Sequence, residues 1–161
     1  MSCESDEILY RMATARDVPA LARLRETFAL EDGAPRERRA DFPEAFDQVV
    51  RDGLETGRWT VWIAEWRGEI VAHVYVGLIE KIPRPEPGER WIGYLTNVYT
   101  RIEHRNRGIG SCLLDQVKTW ARETHVELVF VWPSDESVAF YEQAGFASGR
   151  DPLVWERSVD A

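Results

Sequence analysis

A strand that runs into a basic, glycine-containing turn and leaves it along an amphipathic helix leaves few folds open to a chain. The stretch Asn97–Ala121, NVYTRIEHRNRGIGSCLLDQVKTWA, is such a unit. It begins as the end of an apolar run, Trp91–Tyr99, which predicts a strand. A short loop follows with Arg101, His104, Arg105 and Arg107, then Gly108 and Gly110. Ile109, Leu113, Leu114, Val117, Trp120 and Ala121 then recur at the spacing of one helical face. The first N–H groups of a helix lack internal partners and carry a partial positive charge. Three arginines against Glu103 leave a local charge of +2 in a chain of net charge −8. The unit therefore predicts an anion site, with a phosphate-bearing ligand as its natural occupant.

Two familiar phosphate sites are excluded. A nucleotide P-loop needs Lys-Ser/Thr after its last glycine, and Gly110 is followed by Ser111-Cys112. A dinucleotide fingerprint needs a third glycine where Leu113 stands, and its first glycine directly after the strand. The plain alternative is an ordinary loop with a helix-starting glycine.

Arg105-Asn106-Arg107-Gly108-Ile109-Gly110 reads RxxGxG. With the strand end Val98-Tyr99-Thr100 it closely resembles the acetyl-CoA signature of the GNAT family of N-acetyltransferases. A second block, Ser137–Phe146 (SVAFYEQAGF), resembles the family's later helix with its Tyr-x-x-x-Gly-Phe ending. Order and spacing agree. The resemblance covers most of the chain from Leu9 onward and is strongest from Tyr94 to Phe146. It implies an α/β fold with a central mixed, twisted sheet flanked by helices. A splayed strand pair would hold the pantetheine arm.

The same resemblance implies acetyl-CoA as acyl donor, no metal, and direct transfer to an amine. The backbone of Val98 and Thr100 would bind the pantetheine arm, with the Val98 N–H as oxyanion donor. The N–H groups of Arg107, Gly108, Ile109, Gly110 and Ser111 would hold the pyrophosphate, with Asn106 in the same loop and charge from Arg105 and Arg107. Tyr141 falls at the family's general-acid position, and a phenol suits a departing thiolate. Its plain reading is a core aromatic, since Val138, Tyr141 and Ala144 share a helical face. Family members carry Asn where Ser134 stands and Ala where Ser137 stands. That departure passes one pantetheine contact to Ser134, Ser137 or water. No base declares itself. Glu80 at a strand end and His73 within that strand are the candidates, each with a structural reading beside it. A non-catalytic acyl-CoA-binding module and a protein acetyltransferase are the rival readings, and the acceptor is not legible.

The rest of the chain fits one domain of 161 residues. Met1–Glu7 reads as a tail. Ile8–Met12 predicts a strand, and Asp17 a cap for a helix with Val18, Leu21, Leu24 and Phe28 on one face. Leu30–Arg39 reads as a loop. Phe42, Phe46, Val49, Val50 and Leu54 mark a second helix, ended by Asp52-Gly53 and Gly57. Trp59–Trp66 and Ile70–Glu80 predict a hairpin across Arg67-Gly68. Pro83, Pro85, Pro87 and Gly88 form a connector. Val126–Trp132 predicts a strand ended by Pro133, and Ser134 or Asp135 caps a helix to Ala144. Gly145 then supplies a left-handed end with Phe146 packing back. Leu153–Val159 predicts a last strand.

Net charge −8 argues against general nucleic-acid or anionic-membrane binding. An acidic surface could attract a cationic amine, although solubility explains it as well. No apolar run approaches the ~18–20 residues of a membrane span. The start lacks a secretory signal, and Cys3 and Cys112 are too few for a disulfide framework, so a cytoplasmic protein is expected. His73, His104 and His125 lack metal-ligand spacing. A homodimer is the general default.

Overall fold

The computed structural model of the chain describes residues 8–34 and 39–149. The expected tail at Met1–Glu7 and the expected strand at Leu153–Val159 lie outside the described residues. Among the described residues, five strands form one mixed sheet in chain order: β1 (Ile8–Met12), β2 (Trp59–Trp66), β3 (Glu69–Glu80), β4 (Trp91–Thr100) and β5 (Val126–Val131). The first four are antiparallel neighbours, and β5 runs parallel to β4. Helices α1 (Val18–Glu31) and α2 (Phe42–Thr56) cover one face, and α3 (Ile109–Glu123) and α4 (Val138–Gln143) the other.

Alternation along β2 shows how the sequence serves both layers. Val61 and Ile63 join Val18, Leu21 and Val50 beneath α1 and α2. Trp62 and Ala64 point the other way, into a core with Leu113, Leu114 and Val117 of α3. The β2–β3 turn is a two-residue loop in which Arg67 and Gly68 both take positive φ, +49° and +81°. That geometry matches the twist of an antiparallel pair.

Gly53 does not end α2 as expected. The helix continues to Thr56 and closes on left-handed Gly57. Gly53 instead makes room for a ring: a Cβ there would lie 2.3 Å from Trp59 Cδ1. The same indole covers Gly77, its cross-strand partner on β3. Trp59 thus occupies a slot that two glycines leave open between helix and sheet. The first helix also differs. Residues 15–17 form a short 3-10 turn, and the Asp17 carboxylate accepts the Thr14 N–H at 2.7 Å and two bonds from Arg11 at 2.8 Å. At its other end α1 runs on to Glu31, where a loop was expected. α4 closes as expected: the Gly145 N–H reaches Glu142 O at 2.9 Å and the Phe146 N–H reaches Tyr141 O at 3.0 Å.

The feature that shapes the site is a bulge in β4. His73 pairs with Tyr99 and Tyr75 with Thr96, so Asn97 and Val98 together oppose Val74 alone. Asn97 absorbs the extra residue at φ +49°, a region asparagine tolerates better than most side chains. The insertion resets the alternation. Before it Leu95 faces the α3 core; after it Val98 does, and Tyr99 turns toward α1.

Replacing Gly53 by Ala tests the helix–sheet slot. Helix propensity alone would raise stability by about 1 kcal/mol. Overpacking against Trp59 should instead cost about 1–3 kcal/mol. The urea midpoint of Gly53→Ala should therefore fall, and a rise would remove the slot.

Candidate functional site

A cleft of ≈ 1020 Å³ opens where β4 outruns β5. Parallel pairing reaches Leu95 and Val131, β5 ends there, and β4 continues through Thr100. Each wall of the cleft has a local cause. The floor is Tyr94–Thr100, whose backbone beyond Leu95 is freed from β5 and raised by the bulge. One end is the start of α3, whose first free N–H groups belong to Ile109, Gly110 and Ser111; the Cys112 N–H is the next along, and it reaches Gly108 O. Gly108 enters that helix at φ +76°, a turn that a β-branched residue would strain. The roof is the segment Ser134–Tyr141.

Most residues expected from the sequence line this cleft: Val98, Thr100, Arg105, Asn106, Gly108, Ile109, Gly110, Ser111, Ser134, Ser137 and Tyr141. Some arrive in a different role. A Cβ on Gly110 would meet Phe140 Cζ at 3.1 Å, so this glycine also lets α3 pack closely on α4. Arg105 stays at the rim, but its Nε donates to Thr100 O at 2.9 Å and its Nη2 pairs with Glu31. Ser134 and Ser137 hold one another: Ser137 Oγ donates to Ser134 O at 3.0 Å, and the two hydroxyls are 3.2 Å apart. Tyr141 is buried against Phe140 and Phe146, with its ring also on the cleft. Burial pushes its phenol up to about 12, so it is a protonated donor at neutral pH.

Three expected residues stand elsewhere. Arg107 does not line the cleft; its guanidinium lies 3.2 Å from Nδ1 of His104, whose ring tilts over Trp66. Glu80 is outside it as well, and the Arg90 Nε donates to its carboxylate at 2.8 Å. His73 is fully buried behind Tyr99, its Nδ1 2.7 Å from Asn97 O. A carbonyl only accepts, so Nδ1 carries the proton. Among the described residues, Nε2 has no hydrogen-bond partner, nor has the nearby Tyr75 hydroxyl. Burial lowers the His73 imidazole to about 4. No residue of the proline-containing connector lines the cleft. Among the described residues, no three His, Cys, Asp or Glu side chains are grouped to hold a metal ion. No described helix is long and apolar enough to cross a membrane.

The structure adds residues that the sequence did not single out. Phe28 stacks on Tyr99 at 5.1 Å, and Glu31 accepts the Tyr99 hydroxyl at 2.8 Å. Among the described residues, Asp32 and Glu136 are the carboxylates lining the cleft, and Trp132 lines it too. Phe28 was visible as part of a helical face. Glu31 and Asp32 were hidden by reading Leu30 onward as a loop. An aromatic directly before Pro133 was the signal available for Trp132.

A family model described as the Acetyltransferase (GNAT) family matches residues 21–146. No curated protein matches the chain. Several solved structures share the fold. A predicted acetyltransferase of Clostridium acetobutylicum, solved with acetyl-CoA, is 24% identical with a TM-score of 0.78, over 92% of this chain and 96% of that one. An aminoglycoside acetyltransferase from an uncultured soil metagenomic sample, in complex with sisomicin, is 14% identical with a TM-score of 0.76, over 96% and 98%. Glucosamine-6-phosphate N-acetyltransferase of Arabidopsis thaliana is 18% identical with a TM-score of 0.70, over 98% and 100%.

The buried imidazole gives a pH dependence of known sign. The unfolded chain protonates His73 near 6.5 and the folded chain only near 4. Stability is therefore fully present above pH 6.5 and is lost as pH falls through that window, by roughly 3 kcal/mol from this group. His73→Gln keeps an N–H for Asn97 O without titrating. Its urea midpoint should fall less than the wild-type midpoint between pH 7 and pH 4.5. Equal falls would remove His73 as the source.

Proposed function

The chain belongs to the GNAT acetyltransferase family, and from that premise we propose that it transfers an acetyl group from acetyl-CoA to a primary amine of a small molecule or peptide. The observation that carries this reading is the convergence of three elements on one cleft. They are the unpaired end of β4, the free N–H groups opening α3, and the Tyr141 phenol.

Each element answers one need of the reaction. The Ile109, Gly110 and Ser111 N–H groups, at the positive end of α3, suit the cofactor's pyrophosphate. Asn106 and Arg105 sit at the same end, and Arg105 can add charge if it exchanges Glu31 for phosphate. The backbone at Val98 and Thr100 is positioned to bond the pantetheine arm as an added strand would, beside a β5 that has already ended. The Val98 N–H lies in the bulge, where it can donate to the carbonyl oxygen as negative charge develops there. Attack forms the new C–N bond and breaks the C–S bond. Tyr141 gives its proton to the departing sulfur.

The amine must also lose a proton. Neither expected base lines the cleft: Glu80 is paired with Arg90, and His73 is buried behind Tyr99. Asp32, at the end of α1 and on the cleft wall, can take it through water. The structural neighbours named for aminoglycoside and glucosamine-6-phosphate acetylation support a small amine acceptor as a class.

Thermal unfolding with acetyl-CoA, with ATP and NADH as controls, tests the cofactor. Acetyl-CoA at about 100 times its Kd should add about 2.7 kcal/mol of stability. No shift, together with no heat of binding by calorimetry, would overturn the reading. Tyr141→Phe should lower kcat about 100-fold or more with the acetyl-CoA Kd unchanged. Unchanged kcat would remove Tyr141 from the reaction.

A further inference from the structure

On the face of β4 and β5 opposite α3, three aromatic rings meet in a corner. Leu95, Val129 and Val131 point into the α3 core, so the alternation sends Tyr94 and Phe130 to the other side. Tyr94 and Phe130 stack, with centroids 5.3 Å apart and planes at 26°. Trp132 stands edge-on to both, 5.3 Å from Tyr94 at 66° and 5.1 Å from Phe130 at 87°. Among the described residues, the buried cluster beneath α1 and α2 lies over β2 and β3 and does not include these three rings. Trp132 is 60% exposed, and exposed Leu128 continues the same face along β5.

An indole exposed to that extent forfeits much of the area such a ring normally buries. Its position gives the forfeit a use. Trp132 and Tyr94 both line the cleft that holds Val98 and Tyr141, at the point where β5 ends. The two rings on the cleft, Tyr94 and Trp132, are set at 66° to one another, so they bound its mouth on two sides. Such a corner takes a flat apolar body against one wall and favours positive charge in front of the other. It offers little to a polyol, which needs many hydrogen-bonding groups: Tyr94 contributes a single hydroxyl and Trp132 a single N–H.

We propose that the Tyr94–Phe130–Trp132 corner is the acceptor subsite and selects an amine carried on an aromatic body, an arylalkylamine or an aromatic residue's amine. This rests on the acetyltransferase reading above and names the substrate class of that site. The aromatic body packs on Trp132, and the alkyl link carries the nitrogen toward Val98. Trp132 acts as a specificity-determining residue and takes no part in proton transfer.

The test measures thiol release with saturating acetyl-CoA for phenylethylamine and glucosamine, in the wild type and in Trp132→Ala and Trp132→Phe. Acetyl-CoA affinity is measured in parallel by calorimetry. The wild type should favour phenylethylamine in kcat/KM by at least about tenfold. Trp132→Ala should lower kcat/KM for phenylethylamine about tenfold, mainly through KM. The loss for glucosamine should be smaller than for phenylethylamine, the acetyl-CoA Kd should stay within about twofold, and Trp132→Phe should recover most of the phenylethylamine loss. Equal or better wild-type turnover of glucosamine would overturn the proposal. So would an equal loss for both amines, or a weakened acetyl-CoA Kd, which would place Trp132 in the cofactor's part of the cleft. A wild-type protein that binds no acetyl-CoA overturns the parent reading. One that binds it but turns over no phenylethylamine overturns the corner alone.

Discussion

The bond from His73 Nδ1 to the Asn97 carbonyl, 2.7 Å in a fully buried setting, is the contact on which the site depends. Asn97 sits in left-handed backbone, which costs about 1–2 kcal/mol for an ordinary L-residue and less for asparagine. A bulge also takes its carbonyl out of the regular ladder, and an unpaired buried carbonyl is costly. The neutral imidazole on the adjacent strand satisfies it. With the bulge held, Tyr99 turns toward α1 while Val98 keeps the α3 side, and the strand end has free backbone on the cleft. An unshifted strand would place Tyr99 on the same face as Leu95, where α3 packs.

Tyr99 then gathers the surrounding layers. Its ring lies between Phe28 of α1 and His73 of β3, and its hydroxyl donates to Glu31 at the last turn of α1. Glu31 also pairs with Arg105 of the glycine-containing loop, and Arg105 lies 5.7 Å from the Tyr99 ring centroid while donating to Thr100 O. One carboxylate therefore ties the first helix to the loop that opens α3. The desolvated Tyr99 hydroxyl, bonded to that carboxylate, is held up at about 12, so it stays a donor to Glu31 across the neutral range. Arg107 is turned away to His104 and serves the packing of the loop on Trp66. Two arginines that look alike in the sequence thus do different work, because the 3-10 turn at residues 102–104 orients the residues that follow it.

Much of the frame was legible. The hairpin was written in Arg67-Gly68, the end of α4 in Gly145-Phe146, and α3 in the spacing of Ile109, Leu113, Leu114 and Val117. These are local rules, fixed by backbone torsion and helical period, so they read without a partner. Reading failed where a residue's meaning lay across the fold. Gly53 looked like a helix end because the Trp59 ring it accommodates comes from the sheet. Glu31 looked like loop because its bonds are to Tyr99 and Arg105, far along the chain. Glu80 stood as a candidate base at a strand end, and nothing in the sequence shows that Arg90 comes back to meet it.

The sequence by itself determined the family, through RxxGxG at Arg105–Gly110 and the Tyr141–Phe146 block, and the five described strands with four helices that follow from its patterning. It could do so because anion binding at a helix start and amphipathic periodicity are properties of contiguous residues. Only the tertiary structure decided which of the expected residues line the cleft, where β4 breaks register, and that Tyr94, Phe130 and Trp132 share a corner. Register and ring contact are set by the strand next door. A one-residue shift in pairing reverses every side chain beyond it, and no local pattern in β4 records what its neighbours on β3 and β5 impose.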